Sequence, residues 1–358
     1  MRPLTRLATS LLAVGALTVC TACGPQKSTS AANNDQAKVT VNNCGRDITY
    51  DAPVKRLFAY DGSIISIALA VGAHPELVAV SGLKNHQDLL RLKYGDQVDS
   101  LKQVSPKGPT MENIVAARPQ VAFAGWNYGF SEAKNLTPDT LKERGIASYL
   151  LSETCLQGDK KTRGTIPPWE ALRQDLLNIG KITGHDDTAR GVVEDIARRR
   201  EALEKAPTAA KKPMAFLFDS SSDQILSSGS FGAPQAVFDT AGADYALSDV
   251  KNTWTRVSWE RITTADPDFI AFVDYPAQDF AAKVEALKSN PASAQLKAVK
   301  EGRFINLPYA MWTSGPMNID AAESVRAAME KWGLQPASGI TPALDIRPLK
   351  LAGNTWME

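Results

Sequence analysis

Ten residues at or near the ends of apolar segments share one kind of chemistry, that of surface contact. They are Tyr60, Trp126, Asn127, Tyr128, Phe231, Trp254, Arg256, Tyr275, Tyr309 and Trp312. Aromatic residues are only 7% of the chain, so their gathering at this class of position is selective. Trp and Tyr offer large, stiff faces with one polar tip and hold a bulky ligand at small entropic cost. Asn127 and Arg256 would orient its polar groups. A lone Trp near a strand end packs into a core more often than it meets a ligand, so the set carries the reading. Groups that break bonds are not arranged to do so. The chain has no G-x-S-x-G elbow, H-E-x-x-H, P-loop or G-x-G-x-x-G. Its three histidines, His74, His86 and His185, have no metal-ligand spacing, and none is expected at a strand end. Two alternatives to a binding protein stay open. One is an exported enzyme for a bulky aromatic or sugar substrate, with Asp61, Asp219 or Asp274 as its acid. The other is a surface adhesin that only keeps the fold.

The elements that must position these residues alternate. "RLFAY" (56–60), "LVAVSG" (77–82), "QVAFAG" (120–125) and "SYLL" (148–151) read as buried strands with helices between them. "KVTVNN" and "DITY" read as a hairpin. Thr110 and Thr137 are helix N-caps, Pro138 fits a first turn and Gly145 a stop. Two long helical stretches follow, "PPWEALRQDLLNIGKITG" and "DDTARGVVEDIARRREALEKA". Alternation then resumes with "MAFLFD", "DFIAFVD" and "RFINLP". The pattern predicts an α/β protein of two Rossmann-like lobes, each with a mostly parallel sheet, joined by a single long helix, with a ligand cleft between the lobes. In open parallel sheets ligands bind beyond the carboxyl ends of the strands, where Tyr60, Trp126, Asn127, Tyr128, Tyr275, Tyr309 and Trp312 fall, while Trp254 and Phe231 read as loop residues of the second lobe and Arg256 as the nearest basic one. An internal match supports two lobes. "MENIVAARPQVAFAG" (111–125) aligns without gaps on "WERITTADPDFIAFV" (259–273), pairing Glu112 with Glu260, Ile114 with Ile262 and Pro119 with Pro267.

The first 23 residues predict a signal peptide: Arg2 and Arg6, an apolar run from Leu7 to Val19, then "CTACG". The run is short for a membrane span. Its end resembles a lipobox with Cys23 as the lipidated residue, and Cys20 is the competing site. Residues 24–38 are small and polar, as in a flexible tether. Beyond them we divide the chain into an N-terminal lobe (39–185), a connecting helix (186–206), a C-terminal lobe (207–335) and a tail (336–358). Cys44 and Cys155 remain in an exported protein, where disulfides persist, and are expected to pair. With 358 residues, 22% charged and a net charge of +1, the chain lacks the basic cluster that nucleic acid requires.

Taken together, the lipobox, "NNCGRDITYDAPVKRLFAYDG", "MENIVAARPQ", "SWERITTADPD", the long helix and "YAMWTSGPMNID" resemble the substrate-binding lipoproteins of bacterial iron-siderophore and cobalamin ABC importers. The resemblance spans roughly residues 39–333. It implies a monomeric, non-enzymatic protein, lipid-anchored on the outer face of the cytoplasmic membrane. It also implies a shallow cleft that closes little, a metal chelate as ligand, and docking onto ABC permease subunits through one glutamate per lobe. Those positions are Glu112 and Glu260. Basic residues are sparse at the cleft positions. This favours a near-neutral ferric siderophore, such as a hydroxamate, or a flat macrocycle such as cobalamin or haem, over a catecholate. Without a histidine at a strand end, haem or cobalamin held through a His ligand is disfavoured, as are bare zinc and manganese, and no resident cofactor or metal is expected.

Overall fold

The computed structural model describes residues 37–358. The signal peptide, Cys23 and most of the 24–38 tether lie outside the described residues. A hairpin opens the fold, with Lys38–Asn43 antiparallel to Arg46–Asp51. Its two-residue loop is Cys44–Gly45, and both residues have positive φ (51° and 72°). Such a loop matches the twist of the strands it joins.

The first sheet is parallel throughout. Its order is Gln103–Ser105, Leu77–Ser81, Leu57–Tyr60, Val121–Trp126, with Ala147–Leu150 on the far side of Val121–Trp126. The second parallel sheet runs Asp244–Tyr245, Met214–Phe218, Phe269–Asp274, Phe304–Pro308. Helices cover these sheets, which is why their central strands are apolar without alternation. Phe216, Phe218, Phe269 and Phe272 are fully buried there. Each contributes roughly 2–3 kcal/mol of transfer free energy.

The internal match in the sequence is a structural repeat. Helices Met111–Ala117 and Trp259–Ala265 both have seven residues and both end in a left-handed residue, Arg118 (φ 48°) and Asp266 (φ 43°). Each leads through a proline into a six-residue strand with five buried positions and a half-buried sixth. Both strands then reverse in a short bridge, Gly125 to Tyr128 and Tyr275 to Gln278. Since each helix feeds the start of its strand, its own first turn lies at the strands' carboxyl edge. Glu112 and Glu260 occupy that turn in both copies and are exposed.

Between the sheets the chain forms two helices, Pro168–Thr183 and Asp186–Glu204, turned at Gly184 (φ 83°). The Trp169 indole donates to Thr240 Oγ1 at 3.0 Å, tying the first of these helices to the second half of the molecule. On the second, Arg199 donates to Asp320 Oδ1 (2.6 Å) and to Glu323 (2.7 and 2.8 Å), while Lys93 reaches Asp320 Oδ2 at 2.8 Å. Burial works against the Arg199 charge, but Glu323 and Asp320 outweigh it and raise its pKa. Lys93, the long helix and the Asn318–Lys331 helix are thus held in one buried ionic network. The aperiodic tail also packs: Leu344, Ile346 and Trp356 are buried, and Asn354 exchanges two hydrogen bonds with the Asn306 backbone.

Candidate functional site

The carboxyl edges of the two parallel sheets face each other, and the aromatic side chains converge between them. From the first lobe, Tyr60 ends one strand and Trp126 another. Asn127 (φ 61°) and Tyr128 make the tight reversal that follows. Asn and Gly tolerate this conformation, which is what places two large rings beside a narrow turn. From the second lobe come Tyr275, past Phe269–Asp274, and Tyr309, past Phe304–Pro308.

Tyr309 is the hub. Its ring lies 4.9 Å from Tyr275, 6.2 Å and stacked from Trp254, and 5.6 Å from His86 of the other lobe. The phenol groups of Tyr128 and Tyr309 also meet across the lobes. Burial pushes both phenols well above their ordinary pKa, so they stay protonated donors. Tyr60, Trp126, Phe231 and Tyr275 are half-buried.

Arg163 holds the cluster from beneath. It donates to the Trp254 carbonyl (2.9 Å) and the Trp126 carbonyl (3.4 Å), with its guanidinium 5.9 Å from the Tyr128 ring centre. Beside it, Glu153 is buried and accepts the Ser314 amide at 2.8 Å, a second bond between lobes. Its Oε1 has no partner. The Trp254 indole N–H faces it but outside hydrogen-bond geometry. Burial raises Glu153 to about 7, against the Ser314 amide and Arg163. Asp175, which takes the Ser152 amide and hydroxyl and the Tyr149 hydroxyl, is likewise raised by burial to about 7.

These two carboxyls set a pH dependence. Their folded pKa exceeds the unfolded value of about 4, so the folded state binds protons more tightly. The stability they contribute is fully present below about pH 4 and is lost as pH rises through about 7. We expect the unfolding midpoint to decline across that window. Glu153→Gln keeps the shape and removes the charge, so it should flatten the decline and raise the midpoint above pH 7. A midpoint profile identical to wild type would refute this assignment.

Several sequence expectations need correction. Trp312 is not at the cleft: it is fully buried, its indole donates to the Phe272 carbonyl at 3.1 Å, and its ring packs 5.4 Å from Phe238. Trp254 is not on a loop, although Phe231 is. With Arg256, Trp254 belongs to Trp254–Val257, a strand of an antiparallel sheet with Ser220–Ser221 and Ile225–Ser228. Arg256 is exposed and acts on Asp219, whose pKa burial raises to about 6 against Lys283 and Arg256. A histidine does reach the cleft floor. His86 lies in the loop beyond the strand Leu77–Ser81, with Nε2 3.9 Å from Asp61 Oδ1. Arg163 and Glu153 carry no periodic signal in sequence. They flank Cys155, whose disulfide to Cys44 is formed as expected.

Two cavities lie away from the cluster, one of about 260 Å³ beneath the C-terminal tail and one of about 60 Å³ between the two interlobe helices. No group of three or more His, Cys, Asp or Glu among the described residues could hold a metal ion. Nor is any helix among them long and apolar enough to cross a membrane.

A sequence profile described as "Periplasmic binding protein" matches residues 57–310, which contain both sheets' cleft edges. The chain belongs to that family. As a periplasmic binding protein it is a solute-binding component of ABC-type uptake that works outside the cytoplasm. Among solved structures, a periplasmic binding protein from Veillonella parvula is 21% identical with a TM-score of 0.68, covering 85% of this chain and 98% of that one. An ABC-type Fe3+-hydroxamate transport system from Saccharomonospora viridis is 18% identical with a TM-score of 0.65, covering 81% and 98%. A periplasmic heme binding protein from Pseudomonas aeruginosa is 22% identical with a TM-score of 0.59, covering 77% and 92%. At these identities the likeness establishes the fold. No curated protein sequence matches.

Proposed function

We propose that this chain captures a ferric siderophore or similar large chelate and delivers it, unchanged, to an ABC permease. It would do so as a monomer anchored by lipid on Cys23. Its lobes, 39–185 and 207–335, would close little around the 186–206 helix. The observation that carries this is the aromatic cluster shared by the carboxyl edges of both parallel sheets. Half-buried Tyr60, Trp126, Phe231 and Tyr275 supply contact area, and Asn127 and Arg256 supply orientation. Solved structures of the same fold named for Fe3+-hydroxamate transport and for heme binding are compatible with such a ligand. His86 is only 4% exposed beneath the Tyr309 ring, so it is not presented as an axial ligand to haem or cobalamin.

Titration of tryptophan fluorescence in the full chain, purified in detergent, tests the reading with ferric hydroxamates, ferric catecholates, cobalamin and haem. Saturable quenching by a hydroxamate, recovered unchanged, is expected. Silence from all four classes would remove the chelate reading.

Glu112 and Glu260 would dock the two lobes on two permease subunits. Both are exposed, equivalent by the internal repeat, and outside the aromatic cluster. The double variant Glu112→Lys/Glu260→Lys is expected to bind ligand as wild type does while uptake into cells falls on the order of tenfold or more, as for central charged contacts in an interface. Undiminished uptake would discard the docking role.

A further inference from the structure

Asp61 is the charged group of the cleft that the fold leaves unexplained. It is 7% exposed, and its Oδ1 has no hydrogen-bond partner. His86 is the nearest titratable partner, with Nε2 at 3.9 Å, beyond hydrogen-bond reach. Burial lowers the His86 pKa, against the pull of Asp61, so the ring is neutral near pH 7. Burial raises the Asp61 pKa, against His86 and the amides of Ser63 and Gly62, and no lysine or arginine acts on it. The nearby cations have other work. Arg163 binds the Trp254 and Trp126 carbonyls, Lys283 binds the Val273 carbonyl, and Arg256, which is exposed, is not among the groups that act on Asp61.

The backbone makes the choice of residue more pointed. Asp61 has φ 77° and ψ 151°, a conformation that is essentially glycine's and is strained for any other residue. The residue stands at the N-cap of Gly62–Ala70, yet its side chain makes no capping bond. The amides of Ser63 and Gly62 approach the carboxylate without forming a cap, and no lysine or arginine pairs with it. Around it stand phenol rings from both lobes: Tyr60, Tyr128, Tyr275 and Tyr309 all feel its charge. Trp254 stacks on Tyr309 at the edge of this ring. About a tenth of the Asp61 side chain remains open to solvent. A carboxylate walled by electron-rich aromatic faces is the chemistry that receives a cation and repels an anion.

We propose that the ligand carries a cationic group, a protonated amine, that seats on Asp61 inside this ring of tyrosines. The proposal rests on the aromatic cleft being the ligand site. It excludes polyanionic chelates and favours a ferric hydroxamate with a pendant amine over the same chelate without one.

The test is a matched pair of ferric trihydroxamates, identical except that one ends in a free amine and the other in its N-acetyl amide. Both are titrated near pH 7 into the full chain, Asp61→Asn and Asp61→Gly. Glycine suits the local φ, so the second variant folds even if the first does not. Wild type is expected to prefer the amine form by on the order of 10- to 100-fold, the range of a charged hydrogen bond. In both variants the ratio should fall close to unity. Equal affinities in wild type, or a preference that survives both substitutions, overturn the proposal while leaving the chelate reading intact. If neither chelate binds, the chelate reading fails, and hexylammonium against 1-hexanol then decides the cation seat. Thermal protection by the ammonium alone, lost in Asp61→Gly, supports the seat; no protection in wild type overturns it.

Discussion

Serine at both Cys44 and Cys155 is expected to lower the unfolding free energy by about 4–5 kcal/mol, the chain-entropy value for a loop of this size. The bridge joins residues 111 apart in sequence. It clips the 38–51 hairpin to the segment after Ala147–Leu150, and few apolar groups do that work in its place. Val41 and Tyr50 are the hairpin's buried apolar side chains. The rest is polar: Asn43 exchanges two hydrogen bonds with the Leu150 backbone, and the Tyr50 hydroxyl donates to the Ser148 carbonyl at 2.8 Å. The same segment carries Glu153, so its loosening reaches the bond to Ser314. Denaturant titration of the double variant, against wild type with and without reductant, measures the effect. A loss below about 1 kcal/mol would mean that the reduced, unfolded chain keeps these segments together.

What was legible in the sequence is what local physics dictates. The hairpin follows from "NNCGR", where Cys44 and Gly45 take positive φ between two alternating segments. Thr110 caps its helix by accepting the Asn113 amide, and Thr137 forms a capping box with Thr140. The repeat is visible because the same helix, left-handed stop, proline and buried strand need the same residue types twice. The antiparallel sheet was not legible. Ser220–Ser221, Ile225–Ser228 and Trp254–Val257 are too short and too polar for a period, and they become strands only through one another. His86 escapes a reading confined to the positions just after each strand, since four residues separate it from Ser81. Arg163 and Glu153 flank Cys155 in a loop whose path the disulfide sets, which no periodicity encodes.

Trp312→Ala is expected to cost about 3–5 kcal/mol, the range for a buried aromatic side chain. Read along the chain, Trp312 looks like a partner of Tyr309 at the cleft. In the fold, the short helix Tyr309–Trp312 carries it into the core, over Phe272 and Phe238. Alanine there leaves a cavity and strips the indole partner from the Phe272 carbonyl. Trp312→Phe keeps most of the packing and loses the hydrogen bond, so about 1–2 kcal/mol is expected. Trp126→Ala makes the contrast. Trp126 is half-buried, its ring 6.2 Å from Phe130, and its carbonyl stays available to Arg163. Here stability should change little while affinity for the ligand falls on the order of tenfold or more. Denaturation and fluorescence titration on the two variants give opposite patterns if Trp312 supports the core and Trp126 the ligand. Should Trp312→Ala unfold like wild type and bind weakly instead, the division between core and cleft drawn here would be wrong.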